Sequence, residues 1–120
     1  MKKQRCYIYT RVSTAMQADG LSLDAQKEKL KKYADYQDMV VVREFSDEGK
    51  SGKNVDGRPQ FKEMLELIEA GTDDIDYVLV FKLSRFGRNA ADVLSSLQKM
   101  QDFGVNLICV EDGIDSSKDA

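Results

Sequence analysis

The sequence predicts a three-layer α/β/α domain, and three observations carry that prediction. First, strand-like apolar runs alternate with helical patterns, in the order strand-helix-strand-helix-strand-helix-strand. Such alternation builds a mainly parallel sheet covered on both faces, with right-handed crossovers. Second, Val78-Leu79-Val80-Phe81 is apolar without alternation, as a strand buried on both faces should be. Third, the first and third strands both open into arginine and serine at their C-terminal ends, Arg11 and Ser13 in one case, Lys82, Ser84, Arg85 and Arg88 in the other. A sheet of four to five strands in the order 2-1-3-4(-5) sets those two ends side by side at a topological switch point, where open α/β sheets bind ligands.

In the first strand, Tyr9, Arg11 and Ser13 share one face of an extended backbone. An unpaired buried charge is costly, so two strands that each deliver arginine to one place point to an anion site, with phosphate the first candidate. A polar turn from Thr14 to Leu21 follows, and Ser22 can cap a helix with Asp24 in its first turn. That helix is expected to run to about Gln37, with Leu23, Gln26, Leu30, Tyr33 and Ala34 turned inward. Gln26 is the polar member of the stripe. Either nearby backbone satisfies it in the core, or it faces the Ser13 loop.

Met39 to Phe45 reads as the second strand, and 47–58 as a long glycine-bearing loop, mobile and at the active site. Its Gly49-Lys50-Ser51 lacks the upstream glycine of a nucleotide-binding P-loop, because Glu44 occupies that position. Pro59 starts a second helix with an inward stripe of Phe61, Met64, Leu65 and Ile68, and Gly71 ends it. Asp76 to Phe81 is the third strand. Asn89 caps a third helix, with Asp92 at the reciprocal position and Val93, Leu94, Leu97 and Met100 buried. Val105 to Val110 is the fourth strand, and past Gly113 the pattern predicts a loose end.

With 120 residues, 42% of them apolar, the chain is one domain large enough for a core. No apolar run approaches membrane-span length, and the start is not a secretory signal, so a cytoplasmic protein is expected. Cys6 and Cys109 fall inside strands and read as small buried hydrophobes. A net charge of −3 argues against a dedicated nucleic-acid-binding domain. Yet no acid lies between Tyr77 and Ala91, where Lys82, Arg85 and Arg88 gather. A basic site on an acidic body fits catalysis.

The chain has no histidine, which excludes a Ser-His-Asp triad. Cys6 lies too near Arg11 for a cysteine-phosphatase loop, and strand ends one and three lack the acids of a phospho-acceptor. The acid clusters Asp47-Glu48 and Asp73-Asp74-Asp76 are expected at opposite edges of the sheet, too far apart for a shared metal. What remains is a serine nucleophile with an arginine clamp on phosphate, since arginine stays charged and grips two oxygens with a planar fork.

The segments Tyr9-Thr10-Arg11-Val12-Ser13-Thr14, Ser22-Leu23-Asp24-Ala25-Gln26 and Lys82-Leu83-Ser84-Arg85-Phe86-Gly87-Arg88-Asn89 resemble the catalytic domain of serine site-specific recombinases, the resolvase/invertase family. The resemblance runs to about Ile114. It implies that Ser13 attacks a DNA phosphodiester to form a 5′-phosphoserine link, with no metal or nucleotide cofactor. It also implies site roles for Tyr9, Arg11, Gln26, Arg85 and Arg88, and further ones for Arg58, Ser51, Ser84 and Lys82. The turn from Ala15 to Leu21 is longer than in small resolvases and is similar to the large integrase and transposase branch.

Two departures stand out. Most of the family has aspartate where this chain has Ser84, whose hydroxyl is expected to orient a guanidinium instead. A module impaired in catalysis and acting in assembly is the alternative reading. The family also continues into a dimer-forming helix and a DNA-binding region. Residues 1–114 are therefore expected to form the catalytic domain, with 115–120 a loose lead to those parts. DNA is the implied partner. The full-length protein should form dimers or tetramers, and the chain alone should be mostly monomeric.

Overall fold

The computed structural model describes residues 3–13, 22–49, 58–87 and 89–118. The turn after Ser13, the glycine loop with Ser51, and Arg88 lie outside the described residues. Strand β1 (Arg5–Ser13) leads to helix α1 (Leu23–Tyr36), β2 (Val40–Gly49), α2 (Pro59–Ala70), β3 (Tyr77–Val80), the single turn α3 (Leu83–Phe86), α4 (Ala90–Asp102), β4 (Asn106–Cys109) and β5 (Ile114–Asp115). The sheet order is β2-β1-β3-β4-β5. All pairings are parallel except β4 with β5. This is the expected three-layer architecture.

Alternation along β1 splits the core into two halves. Cys6 and Ile8 pack with Leu79 and Ile108 under Leu30 and Ala34 of α1. Tyr7 and Tyr9 pack on the opposite face with Val78, Val80 and Leu107, under Phe61, Met64 and Ile68 of α2 and Met100 of α4. Burial pushes the thiols of Cys6 and Cys109 up to about 12, so both stay protonated hydrophobes. No helix among the described residues is long and apolar enough to cross a membrane.

The helix punctuation matches the sequence. Ser22 Oγ accepts from the Ala25 amide, and Asn89 Oδ1 accepts from that of Asp92. Gly71 ends α2 with a φ of 67°, a left-handed cap that glycine adopts without a Cβ clash.

Four expectations are corrected. β2 runs on through Asp47 and Glu48, because β1 continues beside it as far as Ser13 opposite Gly49. Leu94 is 66% exposed, whereas Met100 is buried as expected, Val93 and Leu97 are partly buried against the core, and Ser96 is buried as well. The end of the chain is anchored through residue 118 rather than loose. Ile114–Asp115 pairs with β4, and the Ser116 hydroxyl takes the Leu107 amide at 2.7 Å. Finally, the acid clusters lie at opposite ends of the sheet rather than opposite edges. Asp47 is near the C-terminal end of β2, whereas Asp73 meets Tyr7 and Arg43 near the starts of β1 and β2.

Candidate active site

The β1–β3 pairing brings the C-terminal ends of these strands together, and side chains near the end of β1 reach the turn beyond β3. Arg11, the third-last residue of β1, is 6% exposed. Its guanidinium donates from Nη2 to the Ser84 carbonyl at 2.5 Å and from Nε to the Arg85 carbonyl at 3.3 Å. The side chain of Arg11 thereby fixes the backbone of α3, and α3 fixes the plane of the guanidinium. Arg85 is buried in the same turn, 1% exposed. Carbonyl oxygens orient the Arg11 guanidinium, and Arg85 is buried in the same turn, so both arginines lie where the strands end.

Gln26 holds Arg11 from the opposite side. Its Oε1 accepts from the Arg11 amide at 3.4 Å and its Nε2 donates to the Arg11 carbonyl at 3.1 Å. The side-chain amide thus acts as a short stretch of neighbouring strand, extending the sheet by one residue. These bonds satisfy Gln26 with nearby backbone that belongs to the candidate site itself, and the loop after Ser13 lies outside the described residues.

Tyr9 lies one strand repeat earlier, fully buried, and its hydroxyl donates to Asp47 Oδ2 at 2.8 Å. The Asp47 carboxylate also accepts from the amides of Gln60 and Phe61, both at 3.0 Å, at the start of α2. Free helix amides favour an anion there. Burial first, and then the charge of Asp47, hold the Tyr9 phenol well above the usual tyrosine range. Tyr9 is therefore a neutral donor in the physiological range.

Arg58, the N-cap of α2, reaches toward α3 and α4. It donates from Nη1 to the Phe86 carbonyl at 2.5 Å and from Nη2 to Asp92 Oδ2 at 2.7 Å, and its guanidinium stacks 4.1 Å from the Phe61 ring centroid. Asp92, expected to complete a capping box, has its carboxylate on Arg58. Arg58 binds two elements of the site together.

Lys82 is the N-cap of α3, its ammonium 5.9 Å from the Phe81 ring centroid. Ser84 is exposed on α3, and the atom it offers Arg11 is the backbone carbonyl rather than the hydroxyl expected from the sequence. Ser13 closes β1. Tyr9, Arg11, Gln26, Arg58, Ser84 and Arg85 are thus linked around one end of the sheet. Neither Asp47 nor Asp92 is among the site residues expected from the sequence. Asp47 had a signal, since it shares with Phe45 the inward face of β2, where a carboxylate needs partners.

The strand order, with Arg11 and Arg85 gathered near the switch point, defines an open-sheet α/β domain. The family described as "Resolvase, N terminal domain" matches residues 6–120, and the chain belongs to that family. A resolvase family site-specific recombinase from Streptococcus pneumoniae, known from its crystal structure, is 63% identical, with a TM-score of 0.86 over 98% of this chain and 78% of that one. The N-terminal catalytic domain of TP901-1 integrase is 33% identical, with a TM-score of 0.83 over 96% of this chain and 83% of that one. A resolvase/recombinase from Pseudomonas putida is 34% identical over 110 residues, which is 92% of this chain and 53% of the relative. The chain thus spans about half the length of that curated relative.

Proposed function

We propose that this domain cleaves and rejoins DNA, with Ser13 as the nucleophile. The serine Oγ attacks a backbone phosphorus. The P–Oγ bond forms, the P–O3′ bond breaks, the serine hydroxyl loses its proton, and the 3′ oxygen gains one. The product is a 5′-phosphoserine link and a free 3′-hydroxyl. Attack by a 3′-hydroxyl on the phosphoserine reverses each change and releases the enzyme. The covalent link conserves the bond energy between the two steps.

The observation that carries this reading is the Arg11–α3 contact. It holds a guanidinium from β1 beside the turn that carries buried Arg85, at the strand end closed by Ser13. The two arginines would stabilise charge on the non-bridging oxygens as the phosphorus becomes five-coordinate. Arg88 would add to them. Tyr9, Gln26 and Arg58 would hold the elements around those arginines in place. The acidic net charge makes DNA affinity of this chain alone weak and salt-sensitive. Recombination would need paired subunits and the further parts of a full-length protein, with this chain alone mostly monomeric.

The test is a nicked duplex carrying the protein's recombination site, incubated with the full-length protein and run on a denaturing gel. A protein–DNA adduct that survives denaturation and maps to Ser13 is the expected result. An adduct on another residue, or cleavage that leaves no adduct, would sink the proposal.

A further inference from the structure

Helix α3 is one turn of four residues, Leu83–Phe86. A turn that short does not hold itself, because nucleation fixes several dihedrals for a single hydrogen bond. Its neighbours must impose its shape. At its carbonyl side, Arg11 takes the oxygens of Ser84 and Arg85, and Arg58 takes that of Phe86. At its amide side the N-cap is Lys82, which makes no side-chain cap hydrogen bond. Lysine carries donors only and has nothing to offer an amide.

The acceptor comes from the other end of the chain. The Leu83 amide donates to Asp112 Oδ2 at 2.8 Å. Sheet register delivers that carboxylate. β3 and β4 pair as far as Val80 opposite Cys109. The pairing then continues past the strands, with the Val110 amide on the Val80 carbonyl at 3.0 Å and the Glu111 amide on the Phe81 carbonyl at 2.8 Å. One residue further, Asp112 meets the first amide of α3. Gly87 closes the turn beneath α4, where an added Cβ would lie 2.5 Å from Val93 Cγ2. The turn is thus tied at its carbonyls, at its first amide and at Gly87, and Asp112 is the part supplied by the β4–β5 connection.

We infer that Asp112 is a positioning residue for strand cleavage, capping α3 so that the turn presents Arg85 in its working orientation. It acts through the Leu83 amide and does not touch DNA. The link to cleavage rests on the proposed function, whereas the capping contact does not.

The experiment compares the full-length protein with its Asp112→Ala and Asp112→Asn variants on nicked duplex at saturating concentration. Loss of a cap should slow adduct formation in Asp112→Ala about five- to tenfold. DNA affinity should stay within about twofold, because no phosphate contact is removed. Asp112→Asn keeps a carbonyl acceptor and should recover most of the rate. The Leu83 amide should exchange with solvent faster in Asp112→Ala and at the parental rate in Asp112→Asn. If Asp112→Ala does not fold, Asp112→Ser, whose hydroxyl is too short to reach Leu83, takes its place. Parental cleavage in a folded Ala or Ser variant overturns the inference. Absence of any adduct with the parent protein defeats the cleavage reading instead. Leu83 exchange then decides the capping role alone, and unchanged protection in Asp112→Ala overturns it.

Discussion

Tyr7 and Tyr9 are successive residues on one face of β1, and each hydroxyl ends on an aspartate, yet the two ends of the sheet use the same parts differently. At the N-terminal end, Tyr7 donates to Asp73, and Arg43 Nε reaches the same carboxylate oxygen at 2.6 Å. Cation and anion meet directly there, and the charge is consumed within the cluster. At the C-terminal end, Tyr9 donates to Asp47, but the other bonds to that carboxylate come from helix amides. The Arg11 guanidinium instead rests on two carbonyls. Arg43 is closed on a carboxylate, whereas the backbone that seats Arg11 is the turn that carries Arg85. That difference separates the staple at the N-terminal end from the candidate site, where Arg58 also meets a carboxylate, that of Asp92.

The comparison breaks first at the serine. Ser13→Ala should abolish adduct formation on nicked duplex, the largest effect expected, while the melting temperature stays near that of the parent protein. A persisting adduct would move the chemistry elsewhere and leave the two ends alike.

Next come the two buried arginines of the candidate site. Arg11→Ala and Arg85→Ala should each slow cleavage by about 100-fold or more, on the scale of losing a preorganised charge. Lysine should rescue poorly at either position, because it is a point charge without the fork. The rate of adduct formation at saturating DNA is the measurement. A fully active lysine variant would show that charge alone suffices and that the carbonyl seat of Arg11 is incidental.

Ser84 sharpens the comparison rather than breaking it. Arg11 is seated on the backbone of residue 84, which any side chain leaves in place. Ser84→Ala should therefore slow cleavage by roughly tenfold or less, toward the lower bound for a residue outside general acid–base work. Ser84→Asp should change the rate little. Rates of adduct formation across pH for both variants decide it. A gain of several orders of magnitude in the aspartate variant would give residue 84 a proton-transfer or charge role.

How much of the molecule was legible in the sequence depends on how far each signal travels. Ser22, Pro59, Gly71 and Asn89 act within one turn of themselves, so helix starts and stops were legible. The arginines at two strand ends were legible because the order of α/β units implies the switch point. Helix α3 was not, since four residues carry no period. The exposure of Leu94 is illegible for a related reason. Val93, Leu94 and Leu97 form an apolar arc wider than the buried face, and only packing against the sheet chooses its centre. Arg58 is a site position by resemblance, but its partners Phe86 and Asp92 are 28 and 34 residues away, and nothing local announces them. Likewise, the anchoring of the last residues depends on Ser116 meeting Asn106 and Leu107 across a hairpin.

The smallest effect belongs to the staple, and its sign comes from linkage. The Tyr7 hydrogen bond and then that of Arg43 hold the Asp73 carboxyl below its ordinary value in the folded protein. A carboxyl depressed on folding contributes stability that is fully present above its unfolded value, near 4, and is lost as pH falls through the lower folded one. Burial and Asp73 raise the Tyr7 phenol, so its contribution is complete below about 10 and fades as pH rises further. Tyr7→Phe removes the shared hydrogen bond without opening a cavity and should cost about 1 kcal/mol near neutral pH. Urea titrations of parent and variant should show that gap narrowing below about pH 4, once Asp73 takes up a proton in both proteins. Cleavage per folded molecule should be the same in both, because the staple lies at the far end of the sheet from Arg11 and Arg85. A Tyr7→Phe variant that folds normally but cleaves tenfold more slowly would mean that the two ends communicate along β1, and the division between staple and site would fail.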